Sequence, residues 1–175
     1  MLSAIVFIPL IGALLIGVAG RTAPVVRGIA LVAGIVNLVL ALVLFARFST
    51  ADADFQWVES VDWIPALNIQ YLMGVDGLSA PLLLLTALLG LVAILASWHV
   101  ATRVREYFMW LLLLQTAVAG VFVSLDFILF FVFWELELLP MFMLISIWGT
   151  GRREYSAMKF LAYTFLGSAF MLAAI

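Results

Sequence analysis

Six stretches of this chain are each long and apolar enough to cross a lipid bilayer, which excludes a water-soluble architecture. A spanning helix needs about 20 mostly apolar residues at about 1.5 Å rise each. Segments 2–19, 28–48, 78–98, 107–124, 127–148 and 160–175 meet that requirement. The chain is 67% hydrophobic and 10% charged, where a soluble domain averages about 45–50% and 25%. The predicted fold is therefore all-α: a polytopic transmembrane helix bundle of six spans, with the lipid bilayer as solvent. No basic residue precedes the first span and others follow it, so it reads as a retained helix and not a signal peptide. The sixth span reaches Ile175 with no polar tail. Residues 1–175 accordingly read as the N-terminal part of a longer membrane domain.

Charge placement gives an orientation. Loop one carries Arg21 and Arg27, loop three Arg103 and Arg105, and loop five Arg152 and Arg153. Loop two, residues 49–77, holds Asp52, Asp54, Glu59, Asp62 and Asp76, with Arg47 just before it. Loop four is only Leu125 and Asp126. Basic loops stay cytoplasmic, so the odd loops are expected inside and the N-terminus and the 49–77 loop outside. Phe55, Trp57, Val58, Val61, Trp63 and Ile64 suit that loop to an interfacial cap, in which a short hairpin is weakly signalled. Asp126 is placed to cap the fifth helix. The net charge of −2 and the lack of a basic run exclude a nucleic-acid partner. With no cysteine, disulfides, cysteine-ligated iron–sulfur clusters and thiol chemistry are excluded within these residues. No metal site is expected.

Chemistry concentrates in the fifth span, where Glu135 and Glu137 fall near the bilayer centre. A charge at that depth costs about 2.5–3.5 kcal/mol on insertion scales. Such residues face a bundle interior or a water cavity and mark ion or proton paths; the plainer alternative is a protonated, hydrogen-bonded structural role. A two-residue offset turns the pair roughly 200° apart around the helix, so at most one faces a given cavity. No Lys, Arg or His lies between Arg105 and Arg152. Either both carboxyls are protonated, or a cationic partner comes from residues outside this sequence or from another subunit. Pro140 removes a backbone donor and marks a local break in mid-helix. Lys159, at the cytoplasmic start of span six, either feeds protons inward or snorkels to lipid phosphates. His99 reads as a surface residue.

Three segments together carry a family resemblance. They are Gly74-Val75-Asp76-Gly77-Leu78-Ser79, the helix-five block from Phe130 to Gly149 around Trp134-Glu135-Leu136-Glu137-Leu138-Leu139-Pro140, and Arg153–Leu172 with Lys159, Phe160 and Tyr163. The chain resembles the antiporter-like membrane subunits of complex I, of the chain M (chain 4) type of NADH–quinone oxidoreductase. The Glu-Leu-Glu-Leu variant is similar to the cyanobacterial and plastid branch, whose quinone is plastoquinone. The resemblance implies about fourteen helices in two inverted repeats, of which this chain is the first part. It matches Glu135 to the family's key helix-five glutamate, whose lysine partner would lie beyond Ile175. Glu137 matches no residue functional across the family.

The implied function is proton translocation within a respiratory-chain complex, driven by quinone reduction elsewhere in it. Quinone and NAD(P)H or ferredoxin would be used by other subunits, with no cofactor or redox site in these residues. The expected partners are other membrane subunits and protons, and the expected location is the cell inner (plasma) or thylakoid membrane. Two alternatives remain: a subunit of a multi-subunit cation/proton antiporter, and a non-transporting membrane scaffold segment.

Overall fold

The computed structural model describes residues 1–49, 54–67 and 69–175; Asp52 of loop two lies outside the described residues. The elements run α1 (Leu2–Ala19), α2 (Ala23–Ala46), β1 (Gln56–Ile64), β2 (Ile69–Val75), α3 (Ser79–Ala96), α4 (Val104–Val123), α5 (Phe127–Trp148) and α6 (Arg153–Ala174). Each of the six helices is long and apolar enough to span a membrane. Their outward surfaces are correspondingly apolar, with Val18, Val32, Leu89, Phe165 and Phe170 exposed. In water such a surface would aggregate, whereas in lipid it has no desolvation to lose.

Helix boundaries depart from the hydropathy windows in an instructive way. α2 starts at Ala23, not residue 28, because Thr22 is extended and Pro24 sits in the first turn with its φ already helical. α6 starts at Arg153, not residue 160, so Lys159 stands in its second turn. α4 likewise begins at Val104, after Arg103 in the left-handed region (φ 49°). Hydropathy marks where hydrocarbon ends, while backbone hydrogen bonding continues through charged residues in the interface. α3 ends earlier than expected and tightens into a 3-10 turn at Ser97–His99.

The weakly signalled hairpin is a formed antiparallel pair, β1 with β2. Its register slips between Gln56 and Glu59, and Trp57 lies there at φ 58°. That is the bulge geometry that bends a strand over an underlying surface. Asp76 then ends the hairpin and opens α3, accepting from the Leu78 and Ser79 amides at 3.0 and 2.7 Å, while its own amide donates to Ser79 Oγ at 2.9 Å. Those bonds hold its carboxyl below the ordinary aspartate value, against a smaller desolvation effect.

Contacts sort the loops to two ends of the bundle. At one end the Met1 ammonium and the Ser3 hydroxyl and amide bond Glu59 of the hairpin, and Ser3 Oγ lies 2.8 Å from the Tyr71 hydroxyl. Desolvation pushes the Glu59 carboxyl up, but the ammonium and Ser3 outweigh it and hold the group below its ordinary value. β2 also bridges Ser124 through Met73, and the Leu125 amide donates to the Leu72 carbonyl at 2.9 Å. At the other end Arg27 donates to the Val100 carbonyl at 3.1 Å, Arg105 bonds the Gly17 carbonyl, and Trp148 Nε1 donates to the Thr102 carbonyl at 2.8 Å. The N-terminus, hairpin and α4–α5 link therefore share one end, and loops one, three and five the other.

Asp126 fills the role expected of it. Its Oδ1 accepts from the Ile128 and Leu129 amides at 2.9 and 3.0 Å, capping α5. Asp126→Ala is expected to cost about 1 kcal/mol, as N-cap losses do, read as a lower melting temperature, with the Asn variant restoring most of it.

Candidate functional site

The site is built on α5, which α4 and α6 flank. Phe133 is its main anchor: buried, it packs on Gly120 of α4, and its ring lies 6.4 Å from that of Phe7 on α1. Asp126 fixes the start of the helix, and Phe130 stacks on Trp134 at 5.8 Å. Position and rotation of α5 are thus set within the first two turns, immediately before Glu135.

Glu135 and Glu137 are both half-buried at mid-helix. Glu135 Oε1 is fully covered and has no hydrogen-bond partner among the described residues. One turn on, Leu138 is buried while Leu139 is exposed, so Glu135 stands where the enclosed surface of α5 meets its open surface. Glu137 lies on the other side, one turn from Phe133 and hence toward α4. Among the described residues neither carboxylate is in an ion pair; the pairs present are Met1–Glu59 and Arg103–Glu106. α5 stays helical through Pro140, which is buried. The break expected there reduces to one missing backbone donor, the one that would serve the Leu136 carbonyl.

Lys159 is not brought to the carboxylates. It is exposed on α6, with Nζ 5.8 Å from the Tyr163 ring centroid. His99 is exposed at the end of α3, in keeping with a surface role. Among the described residues there is no cluster of His, Cys, Asp or Glu able to hold a metal. Two buried amides, Asn37 and Gln115, escaped the sequence reading. Their signal was available: each is the only carboxamide in its span.

Six helices long and apolar enough to span a membrane, one with half-buried carboxylates at mid-helix that are in no ion pair among the described residues, define a polytopic membrane bundle. Comparison with known proteins gives that class a lineage. Residues 26–121 match the family described as NADH-ubiquinone oxidoreductase chain 4, amino terminus, and residues 124–175 match NADH:quinone oxidoreductase/Mrp antiporter, TM. The chain is 41% identical over 99% of its length to NAD(P)H-quinone oxidoreductase chain 4 2 of Microcystis aeruginosa, covering 32% of that protein. It is 42% identical over its whole length to NADH-quinone oxidoreductase subunit M of Rhodobacter capsulatus, covering 35% of it. In structure it resembles a chain of respiratory complex I from Thermus thermophilus, with TM-score 0.83, 25% identity, 99% of this chain and 35% of that one. A chain of an archaeal membrane-bound sulfane sulfur reductase shares the fold at TM-score 0.82 and 21% identity, over 97% of this chain and 26% of that one. The chain belongs to the NADH–quinone oxidoreductase chain 4 (subunit M) family. It spans about a third of the length of the curated relatives it matches.

Proposed function

We propose that this chain is the N-terminal part of a proton-translocating membrane subunit of a quinone-reducing, NADH dehydrogenase-type complex. The observation that carries the reading is the covered Oε1 of Glu135 at mid-helix, without a hydrogen-bond partner among the described residues. A carboxylate there is costly unless its charge is used or compensated. Glu135 would modulate the charge of a buried lysine in the part of the protein beyond Ile175, which takes up and releases the proton. NAD(P)H or ferredoxin and the quinone, plastoquinone in the cyanobacterial branch, would react on other subunits. These residues then contribute no redox site, and their partners are the neighbouring membrane subunits.

Native-membrane purification of the full-length chain tests the assignment against its runner-up. Co-purification with quinone-reductase activity is expected. Recovery with small antiporter subunits and no such activity would select the multi-subunit cation/proton antiporter. A scaffold role would show instead as proton pumping indifferent to Glu135→Gln.

The proposed orientation puts the N-terminus and hairpin outside, in the cell inner or thylakoid membrane. It rests on the six arginines gathered at the end formed by loops one, three and five. Because these residues contain no cysteine, single probes at Ser49 and Thr150 report cleanly. Impermeant reagent added outside should label Ser49→Cys and spare Thr150→Cys; the reverse pattern would overturn the topology.

A further inference from the structure

α3 packs on α2 and α4, and its remaining face carries an exposed stripe of Leu85, Leu88, Leu89 and Val92. Beside that stripe Thr86, Gly90 and Ala93 recur at helical spacing on one flank of the helix. With Leu89, and with Gln115 and Val118 of α4, they line a groove of about 220 Å³. Its lining comes from α3 and α4 alone, and Leu89 at its rim is exposed.

A polar group sets this groove apart from the other apolar furrows of the bundle. Gln115 is 5% exposed, and its Nε2 is covered with no hydrogen-bond partner among the described residues. A Cβ on Gly90 would overlap the carboxamide, which therefore occupies the space a side chain at that position would fill. Thr86 spends its own hydroxyl on the Leu82 carbonyl at 2.8 Å, so it does not serve the amide.

Depth decides what can meet that N–H. Gln115 stands eleven residues after the start of α4 and eight before its end, about 16 and 12 Å along the axis at about 1.5 Å per residue. Lipid headgroups and their water stay at the membrane surfaces, and an acyl chain in the groove has no acceptor to offer. A second helix does. Small residues such as Gly90 and Ala93 let helices approach closely in lipid, where side-chain hydrogen bonds join them. The terminal torsion of glutamine is soft and two-fold, so the N–H is free to turn toward such a helix. The curated relatives matched above are about three times as long as this chain. Further spans of the same polypeptide are tethered to the bundle and so present at high effective concentration, an advantage a separate subunit lacks.

We propose that the groove between α3 and α4 seats a membrane-spanning helix from the part of this protein beyond Ile175. A hydroxyl or carbonyl oxygen at the mid-depth of that helix accepts from Gln115 Nε2. The inference rests on the reading of this chain as an N-terminal part, but not on proton translocation or on the carboxylates of α5.

Photocrosslinking of the full-length protein in its native membrane is the test, with p-benzoylphenylalanine in place of Leu89. The intact mass of the chain is read first: a protein ending at Ile175 would sink both the N-terminal-part reading and the docking. In a longer chain, crosslinked peptides are expected to map to one apolar stretch of the same polypeptide beyond Ile175. Crosslinks to another subunit, or to lipid alone, would overturn the docking and leave the parent reading standing. The mapped stretch must also carry a polar side chain at mid-span; a wholly apolar one would overturn the hydrogen bond. Gln115→Leu and an alanine variant of that polar residue should each lower the melting temperature of the complex by several degrees. The double variant should be no worse than the worse single one. Additive losses would show that the two residues do not bond.

Discussion

Replacing Glu135 by glutamine in the full-length complex is expected to abolish coupled proton transfer or reduce it at least tenfold. Glutamine keeps the length and shape of the side chain but cannot carry charge, so a loss isolates the charge as the active property. The site has no compensating cation among the described residues: both ion pairs lie away from α5, and Lys159 points to the Tyr163 ring. A tenfold rate loss corresponds to about 1.4 kcal/mol, small beside the cost of a charge at mid-membrane, so the effect should be easy to resolve. Glu137→Gln should cost much less, because Glu137 stands on the opposite side of α5, toward α4. Pumping would be followed as proton uptake into sealed vesicles, with quinone reduction monitored separately. Equal losses from the two variants would mean that both carboxylates act. A larger loss at Glu137 would reject the residue assignment while leaving the architecture untouched.

The parts of the structure legible in sequence were those written in long apolar runs. All six helices follow from span length, and the two-ended sorting of loops follows from the arginines at 21, 27, 103, 105, 152 and 153. Asp126 was legible because a carboxylate directly before an apolar run has one common use, and the cap is there. The starts of α2, α4 and α6 were not, since a helix continues through interfacial charges such as Arg27, Glu154 and Lys159 that a hydropathy window rejects. The hairpin was only faintly legible: Val58, Val61 and Ile64 do not alternate cleanly, and the bulge at Trp57 interrupts the period of two by which strands are recognised. Asn37 and Gln115 were visible as residues but not as buried ones, because what encloses them is the packing of helices against one another, as at Gly90 for Gln115. Carboxylates in a membrane span carry an intrinsic cost that singles them out, whereas a buried amide gains meaning only from what surrounds it.

Gly120→Leu should disrupt the bundle more severely than any single loss of a polar group, although no titratable atom is touched. Local propensity argues the other way, since replacing a mid-helix glycine by a good helix former is favourable by about 1 kcal/mol. Packing decides the sign. Even a Cβ at position 120 would overlap the Phe133 ring, which is buried in one apolar cluster with Leu129 and lies beside Phe7. Overpacking of a tight core costs about 1–3 kcal/mol or more, and here a leucine is accommodated by driving the Phe133 ring out of its packed position or by moving α5 away from α4. The link between those helices is too short to absorb the shift, because Ser124 and Leu125 are tied to β2 and Asp126 to the first turn of α5. Glu135, two residues beyond Phe133, would be displaced with its helix. Little assembled complex should therefore be recovered from membranes for Gly120→Leu, and less than wild type for Gly120→Ala. Pairing Gly120→Ala with Phe133→Leu frees the space of the ring and should restore assembly, with pumping recovering to the degree that Glu135 returns to its place. Normal assembly and pumping of Gly120→Leu would show that the α4–α5 approach does not position the carboxylate.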